Sequence, residues 1–225
     1  MERNADGSLG LFVGTMMNLG VNAKFDQPTG LYTFHELKKQ LPAFISHGME
    51  GAVLLFDVDR LQRINDILGY LVGDEVLQRL GQKCQSLEGV ISYRGPGGKF
   101  YCITTEKSEN ALDRIYKEMQ KFSVEVPREM NLEIQLTISC GVAFFPQDAE
   151  DFETLHANVE YALEQAKKVG RGSIAQFSGQ MHRKTVEKFR LQEVLRESVA
   201  NNCRGFALVY QPLVNLSLIH ISEPT

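Results

Sequence analysis

Residues 90–103 read Val90-Ile91-Ser92-Tyr93-Arg94-Gly95-Pro96-Gly97-Gly98-Lys99-Phe100-Tyr101-Cys102-Ile103, and they determine how the rest of the chain can be arranged. Two short apolar runs stand on either side of a turn that is rich in glycine and proline. Glycine adopts backbone angles that other residues avoid, and proline fixes its own φ angle, so this composition is typical of a tight turn. The sequence therefore predicts a β-hairpin in the middle of the chain.

Strand and helix patterns continue on both sides of the hairpin. Residues 52–56 are uniformly apolar, which is typical of a central strand buried on both faces. Residues 134–144 alternate between apolar and polar side chains, which predicts a long half-buried strand. Residues 152–169 carry an apolar stripe at helical spacing that stops at Gly170. The whole order predicts an α+β fold with a ferredoxin-like βααββαβ core and an added C-terminal helix.

The bulk properties of the 225-residue chain exclude several classes of protein. A net charge of −4 provides no basic surface for the phosphates of a nucleic acid. No apolar run approaches the roughly 20 residues that a membrane-spanning helix requires. The first residues do not resemble a signal peptide, and the four cysteines are scattered without paired spacing. We therefore expect a cytoplasmic protein with reduced, buried thiols.

Polar residues with complementary chemistry follow the strand predicted at residues 52–56. Asp57 and Asp59 come directly after it, and carboxylate oxygens are the ligands that Mg²⁺ prefers. Asn65 and Asp74 suit a guanine base, because a carboxylate accepts hydrogen bonds from its N–H groups and an amide donates to its ring acceptors. Each residue also has a purely structural interpretation as a turn or cap residue, and Asp74 is predicted to cap the helix that it opens.

Two cations stand at the end of the helix predicted at residues 152–169. Lys167 and Arg171 are four residues apart, so both can meet the negative charge of a triphosphate, and the planar guanidinium of Arg171 can bind two oxygens at once. The alternative is that both are solvated cations that complement the helix dipole. The acids, the amide and the cations occur together and in this order, which favours a nucleotide site.

Residues 26–178 resemble a GGDEF domain, the family of diguanylate cyclases that join two GTP molecules into cyclic di-GMP. The resemblance rests on motifs that occur in order: Asp26 with Thr29-Gly30-Leu31, Phe56-Asp57-Val58-Asp59, Ile64-Asn65-Asp66, Gly69 with Gly73-Asp74, Thr137-Ile138-Ser139-Cys140-Gly141-Val142-Ala143, Ala162-Leu163, Ala166-Lys167 and Gly170-Arg171. It implies that Asp57 binds Mg²⁺ and that Asn65 and Asp74 contact guanine. It also implies that Lys167 and Arg171 contact phosphate.

The chain departs from the family at the signature itself. The sequence Gly-Gly-Asp-Glu-Phe falls on Pro96-Gly97-Gly98-Lys99-Phe100, so Gly98 replaces the metal-binding acid and Lys99 replaces the next acid. Gln62 stands where the resemblance implies a phosphate-binding lysine, and Tyr70 stands where the family usually has histidine. The Arg-x-x-Asp motif of product inhibition is absent at residues 87–90. We predict that no catalytic residues remain and that Asp57 is a residual ligand of a single Mg²⁺ ion.

Lys99 allows two interpretations. Its ammonium could hold a phosphate without Mg²⁺, which would make the domain a GTP sensor. Alternatively, Lys99 is a solvated lysine on a turn of proline and glycine.

The flanking segments resemble parts of other signalling domains. Residues 1–22 resemble the last hairpin of a PAS sensor domain with its linker, and residues 23–178 form the degenerate GGDEF domain. Residues 179–216 resemble the linker helix and first strand of an EAL domain, the family of cyclic di-GMP phosphodiesterases. Residues 217–225 resemble foreign sequence. We interpret the chain as a fragment of a PAS–GGDEF–EAL protein.

These resemblances imply a regulatory function in bacterial cyclic di-GMP signalling. The domain is expected to bind GTP without turning it over, to form a homodimer, and to control a downstream EAL phosphodiesterase. Two alternatives stay open. One is an active diguanylate cyclase that works as a homodimer, and the other is a ligand-free dimerisation spacer.

Overall fold

The computed structural model describes residues 24–201. Its strands are β1 (Tyr32–Thr33), β2 (Gly51–Val58), β3 (Val90–Arg94), β4 (Lys99–Thr104), β5 (Ile138–Phe145) and β6 (Ile174–Gln176). Its helices are α1 (Phe34–Ser46), α2 (Leu61–Leu68), α3 (Tyr70–Gln85), α4 (Glu109–Glu129), α5 (Phe152–Val169) and α6 (Gly179–Ala200). None of the helices within residues 24–201 is both long and apolar enough to cross a membrane.

The chain divides into two compact units, and the boundary follows Gly179. Of the elements within residues 24–201, the first unit contains all six strands and the helices α1 to α5, and most of α6 belongs to the second. The PAS-like segment predicted at residues 1–22 lies outside the described residues. So do the EAL-like strand predicted after residue 201 and the tail at 217–225.

The strands form one six-stranded mixed sheet in the order β1-β3-β4-β2-β5-β6. β2 lies inside the sheet, antiparallel to both β4 and β5, whereas β1 and β6 are added in parallel at the edges. The predicted hairpin is confirmed, because β3 and β4 pair antiparallel from Val90 opposite Thr104 to Arg94 opposite Phe100. The α+β fold that the sequence predicts is therefore correct.

Apolar residues cover both faces of β2. Successive side chains of a strand point to opposite faces. Leu54 and Phe56 pack into a core built with α2, α3 and α4, and Val53 and Leu55 pack into a second core built with α1 and α5. Asp57 follows this apolar run, so β2 carries its acid to the end of the sheet on the α5 face.

Two boundaries differ from those that the sequence predicts. β5 begins at Ile138 rather than at 134, and all eight of its residues are buried rather than half of them, because both cores contact it. α3 begins at Tyr70, since the N–H groups of Val72 and Gly73 already bond back to the carbonyl of Gly69. Asp74 therefore lies inside α3 and does not cap it.

Candidate functional site

Asp57 is the acid at the end of β2, and a lysine binds it. Its register partners are Lys99 in β4 and Ser139 in β5. Its carboxylate is 15% exposed and forms an ion pair through Oδ2 with Nζ of Lys167, which α5 carries to the same face of the sheet. The structure thus joins the predicted Mg²⁺ ligand directly to one of the predicted phosphate contacts.

Arg94 fixes the shape of the signature turn. Its guanidinium donates hydrogen bonds to the carbonyl oxygens of Gly95 at 2.6 Å and Lys99 at 2.8 Å, and also to that of Gly97. Its Cζ lies 4.6 Å from the centre of the Phe100 ring, where a cation is attracted to the ring face. The side chain of Arg94 therefore fixes the backbone of the turn.

Gly98 lies directly against Asp57. Its carbonyl oxygen accepts a hydrogen bond of 3.1 Å from the backbone N–H of Val58. A Cβ atom added to Gly98 would lie 3.1 Å from Oδ1 of Asp57. An acid at position 98 would therefore face Asp57 across a shared cation, and glycine supplies no ligand atom there.

Lys99 is bound by an acid of α5. Its Nζ donates to both carboxylate oxygens of Glu160 at 2.7 Å, and the hydroxyl of Tyr101 donates to Glu160 at 3.2 Å. That hydroxyl also lies 2.9 Å from Nε2 of His156. Burial raises the pKa of Tyr101 and lowers the pKa of His156. Lys99 is 28% exposed and paired with Glu160, so it is not the freely solvated lysine of one interpretation, and the phosphate-binding interpretation stays a prediction.

Asp59 is a structural residue. Its side chain is 1% exposed, and it accepts hydrogen bonds from the hydroxyls of Thr137 and Ser139 at 2.8 Å and from the backbone N–H of Gly172 at 3.1 Å. These bonds tie the end of β2 to β5 and to the turn that carries Arg171. The signal missed in the sequence is the pair of hydroxyl residues at alternate positions beside a buried strand.

Asn65 and Asp74 lie on neighbouring helices, α2 and α3. Oδ1 of Asn65 is buried without a hydrogen-bond partner among the described residues. It lies against Gly73, where an added Cβ would stand only 1.8 Å away. Asp74 follows Gly73 and is exposed. An unsatisfied buried amide needs an explanation, and a polar ligand that reorients the Asn65 amide beside the Asp74 carboxylate is compatible with these positions.

The two cations at the end of α5 have different partners. Lys167 pairs with Asp57, whereas Nε of Arg171 lies 3.9 Å from Oδ1 of Asp59. The Arg171 side chain remains 46% exposed. A phosphate that binds Lys167 therefore competes with Asp57 for its ammonium, while Arg171 is accessible as it stands.

The side chains around Asp57 do not fit a two-metal centre. Mg²⁺ requires an octahedral set of oxygen ligands. One oxygen of Asp57 is paired with an ammonium, Gly98 has no side-chain oxygen, and Lys99 adds positive charge. Across residues 24–201, no group of three or more Asp, Glu, His or Cys side chains could hold a metal ion.

The antiparallel strand β2 ends in an acid, a glycine-rich hairpin turn lies against that acid, and two cations stand in the last turn of the facing helix α5 and just after it. This arrangement defines an α+β domain of the nucleotidyl-cyclase palm type. The family model described as "Diguanylate cyclase, GGDEF domain" matches residues 23–173. That segment is more than half of the chain, and the chain therefore belongs to the GGDEF family.

The similar proteins include a cyclic di-GMP phosphodiesterase and a diguanylate cyclase. The chain is 28% identical to the cyclic di-GMP phosphodiesterase NbdA of Pseudomonas aeruginosa, over 87% of this chain and 25% of that protein. It is 26% identical to the diguanylate cyclase VdcA of Vibrio cholerae, over 68% of this chain and 47% of that protein. The chain thus spans about a quarter of the first relative and about half of the second.

A solved structure shares the fold. It contains only the GGDEF domain of TpbB from Pseudomonas aeruginosa, and it matches with a TM-score of 0.63 at 22% identity. The match covers 72% of this chain and 98% of that domain. The described core therefore has the architecture of a complete GGDEF domain.

Proposed function

We propose that this chain is a regulatory GGDEF domain of cyclic di-GMP signalling that binds a guanine nucleotide in the cytoplasm and does not convert it. The observation that carries the proposal is the Asp57–Lys167 ion pair beside Gly98. It places an ammonium on the acid that would otherwise hold a metal ion. The similarity to a phosphodiesterase and a cyclase of cyclic di-GMP supports the signalling context.

Loss of cyclase activity follows from the chemistry of phosphoryl transfer. Such reactions depend on metal ions that position the phosphates and neutralise their charge. Removing a single preorganised electrostatic group typically lowers kcat about 10²–10³-fold. The glycine at position 98 and the lysine at position 99 change two such groups at once, so we expect no measurable turnover.

The residues that suit nucleotide recognition remain. Asn65 offers an amide whose Oδ1 has no partner among the described residues, and Asp74 offers an exposed carboxylate for the donors of a guanine. Lys167 can exchange the Asp57 carboxylate for a phosphate without losing an ion pair. Arg171 is accessible to a further phosphate oxygen. Binding without turnover is the function that this combination favours.

Incubation with GTP and Mg²⁺, followed by chromatography for cyclic di-GMP, tests the absence of turnover. Calorimetric titration with GTP tests binding, and Asp74→Ala is expected to weaken it about tenfold through the loss of charge-assisted hydrogen bonds. Cyclic di-GMP formation that disappears in Asp57→Asn would establish an active cyclase instead. If GTP and GDP both give no heat, the domain is a ligand-free spacer.

We further infer that the domain forms a homodimer and controls an EAL phosphodiesterase in the same protein. The similarity to NbdA supports the link to a phosphodiesterase. Sedimentation velocity with and without GTP measures the oligomeric state. Phosphodiesterase activity of the longer protein that is unchanged by GTP, and unchanged by Asp74→Ala, would contradict the regulatory role.

A further inference from the structure

A cleft of about 530 Å³ opens beside α2 and contains three arginines. It is bordered by Arg60 and Arg63 on one side and by Arg171 on another, and we call it the arginine cleft. The segment that leads into β5, residues 133–137, forms part of its wall. Buried Asp59 lies at its base.

The arginine cleft lies on the opposite face of α2 from Asn65. Its α2 residues, Arg63, Ile64 and Ile67, are one to four positions apart on one side of the helix, and Arg60 immediately precedes the helix. Asn65 lies against Gly73 of α3 on the other side. The cleft is therefore separate from the amide and acid that suit a guanine base.

The arginines of the cleft are largely unpaired. Neither the Arg60 nor the Arg63 side chain has an ion-pair or hydrogen-bond partner within the described part of the chain, and both residues are exposed. Among residues 24–201, the Arg171 side chain has one ion-pair contact, at 3.9 Å with Asp59. Asp59 already accepts hydrogen bonds from two hydroxyls and a backbone N–H, and the other carboxylate that lines the cleft is that of exposed Glu133.

Two of these arginines also flank position 62, where the family resemblance implies a lysine. Gln62 is neutral, but arginines precede it by two residues and follow it by one. Guanidinium groups are planar, remain charged, and bind two oxygens of a phosphate at once. Several guanidinium groups facing one cleft can therefore neutralise an oligophosphate without a divalent ion.

We propose that the arginine cleft binds the phosphoryl groups of an oligophosphate in the absence of a divalent cation. Arg60 and Arg63 belong to this cleft and not to the proposed nucleotide site. Arg171 is shared with the proposed nucleotide site, so the inference rests in part on that proposal. Inorganic tripolyphosphate carries the same phosphoryl chemistry without a base, and it therefore tests the cleft separately from guanine recognition.

The experiment is calorimetric titration of the full chain with tripolyphosphate in EDTA. Each arginine removed is expected to weaken binding about tenfold, since a hydrogen bond to a charged group is lost. The test variant combines Arg60→Asn with Arg63→Gln, and asparagine suits position 60 because the backbone there is left-handed, with φ 57°. It should bind about 100-fold more weakly than the wild type.

The matched control combines Arg114→Gln with Lys117→Gln, which removes the same charge from exposed positions on α4 outside the cleft. It should bind tripolyphosphate as tightly as the wild type, and circular dichroism should show both variants folded. Absence of binding to the wild type, or equal weakening in the control, overturns the proposal. Equal affinity for GTP and ATP would overturn the proposal that the domain recognises guanine. The tripolyphosphate titration would still decide whether the arginine cleft binds phosphoryl groups.

Discussion

Gly98 is the residue whose replacement would most directly restore a metal ligand. In Gly98→Asp, Cβ would stand 3.1 Å from Oδ1 of Asp57, so two carboxylates would face each other. Two neighbouring carboxylates repel each other unless a cation lies between them. We expect the melting temperature of this variant to rise by several degrees when Mg²⁺ replaces EDTA, whereas that of the wild type stays constant.

Gly98→Asn is the control for this change, because it has nearly the same volume and no charge. Differential scanning calorimetry of the three proteins in EDTA and in Mg²⁺ gives the comparison. An equal Mg²⁺ response in the Asn variant, or none in the Asp variant, would show that position 98 does not face a cation site.

His156 makes stability depend on pH. Burial lowers its pKa, although Glu160 acts in the opposite direction. Its ring lies 5.6 Å from that of Phe152 and 5.8 Å from that of Tyr101. With the folded pKa below the unfolded value of about 6.5, the unfolded state binds more protons between the two values. The contribution of neutral His156 is therefore present above about pH 6.5 and is lost as pH falls towards the folded pKa.

Urea unfolding at pH 8 and pH 5.5 measures this loss. The free energy of unfolding should fall less between these pH values in His156→Gln than in the wild type. His35→Gln changes an exposed histidine of α1 and should leave the wild-type pH dependence intact. A His156 variant with the full wild-type dependence would refute the assignment.

At the scale of single residues, the sequence shows which positions of the family pattern are substituted, but it does not show which side chains those residues contact. The changes at Gly98 and Lys99 are visible in the chain alone. The acids that pair with Lys99 and Lys167 are 61 and 110 residues away along the chain. Contacts of that separation are decided by the packing of α5 on the sheet, which no local pattern specifies.

At the scale of secondary-structure elements, α5 packs on β5 at a glycine. A Cβ added to Gly141 would lie 2.4 Å from the backbone nitrogen of Leu163 and 2.4 Å from the carbonyl oxygen of Val159. Backbone atoms cannot move aside cheaply, so Gly141→Ala should lower the free energy of unfolding by about 1–3 kcal/mol. Since α5 carries Lys167 and Glu160, the same change should displace both ion pairs of the site.

Urea unfolding monitored by circular dichroism measures the effect of Gly141→Ala. Gly170→Ala is a suitable control, because nothing lies within 4 Å of the Cβ that it adds. A Gly141 variant as stable as the control would mean that α5 can shift on the sheet at little cost.

The elements that the sequence predicts best are those with complete local signals. The hairpin contains turn residues, β2 contains an unbroken apolar run, and α5 contains an apolar stripe at helical spacing that is followed by a glycine. The start of β5 could not be predicted in this way. Residues 134–137 continue the alternating pattern, but β2 ends at Val58, and Val58 pairs with Ile138. A strand ends where its partner ends, and that information lies elsewhere in the chain.

At the scale of the whole molecule, nucleotide binding should stabilise the fold without help from a metal ion. A ligand that binds only the folded state adds about 2.7 kcal/mol of stability when its concentration is 100 times its Kd. We expect GTP to raise the melting temperature to the same extent in EDTA and in Mg²⁺. A rise that requires Mg²⁺ would show that the residues around Asp57 do assemble a metal site.

The Asp57–Lys167 ion pair has a consequence for the rate of ligand capture. A phosphate that takes the place of Asp57 on Lys167 can bind only after the ion pair opens, and for that exchange the two steps occur in sequence. Stopped-flow traces should therefore approach a plateau in observed rate as the nucleotide concentration rises, since pair opening becomes limiting. In Asp57→Asn the lysine is no longer held by a charge, and the rate should climb linearly over the same range. A domain built in this way would follow slow changes in nucleotide level and ignore brief ones.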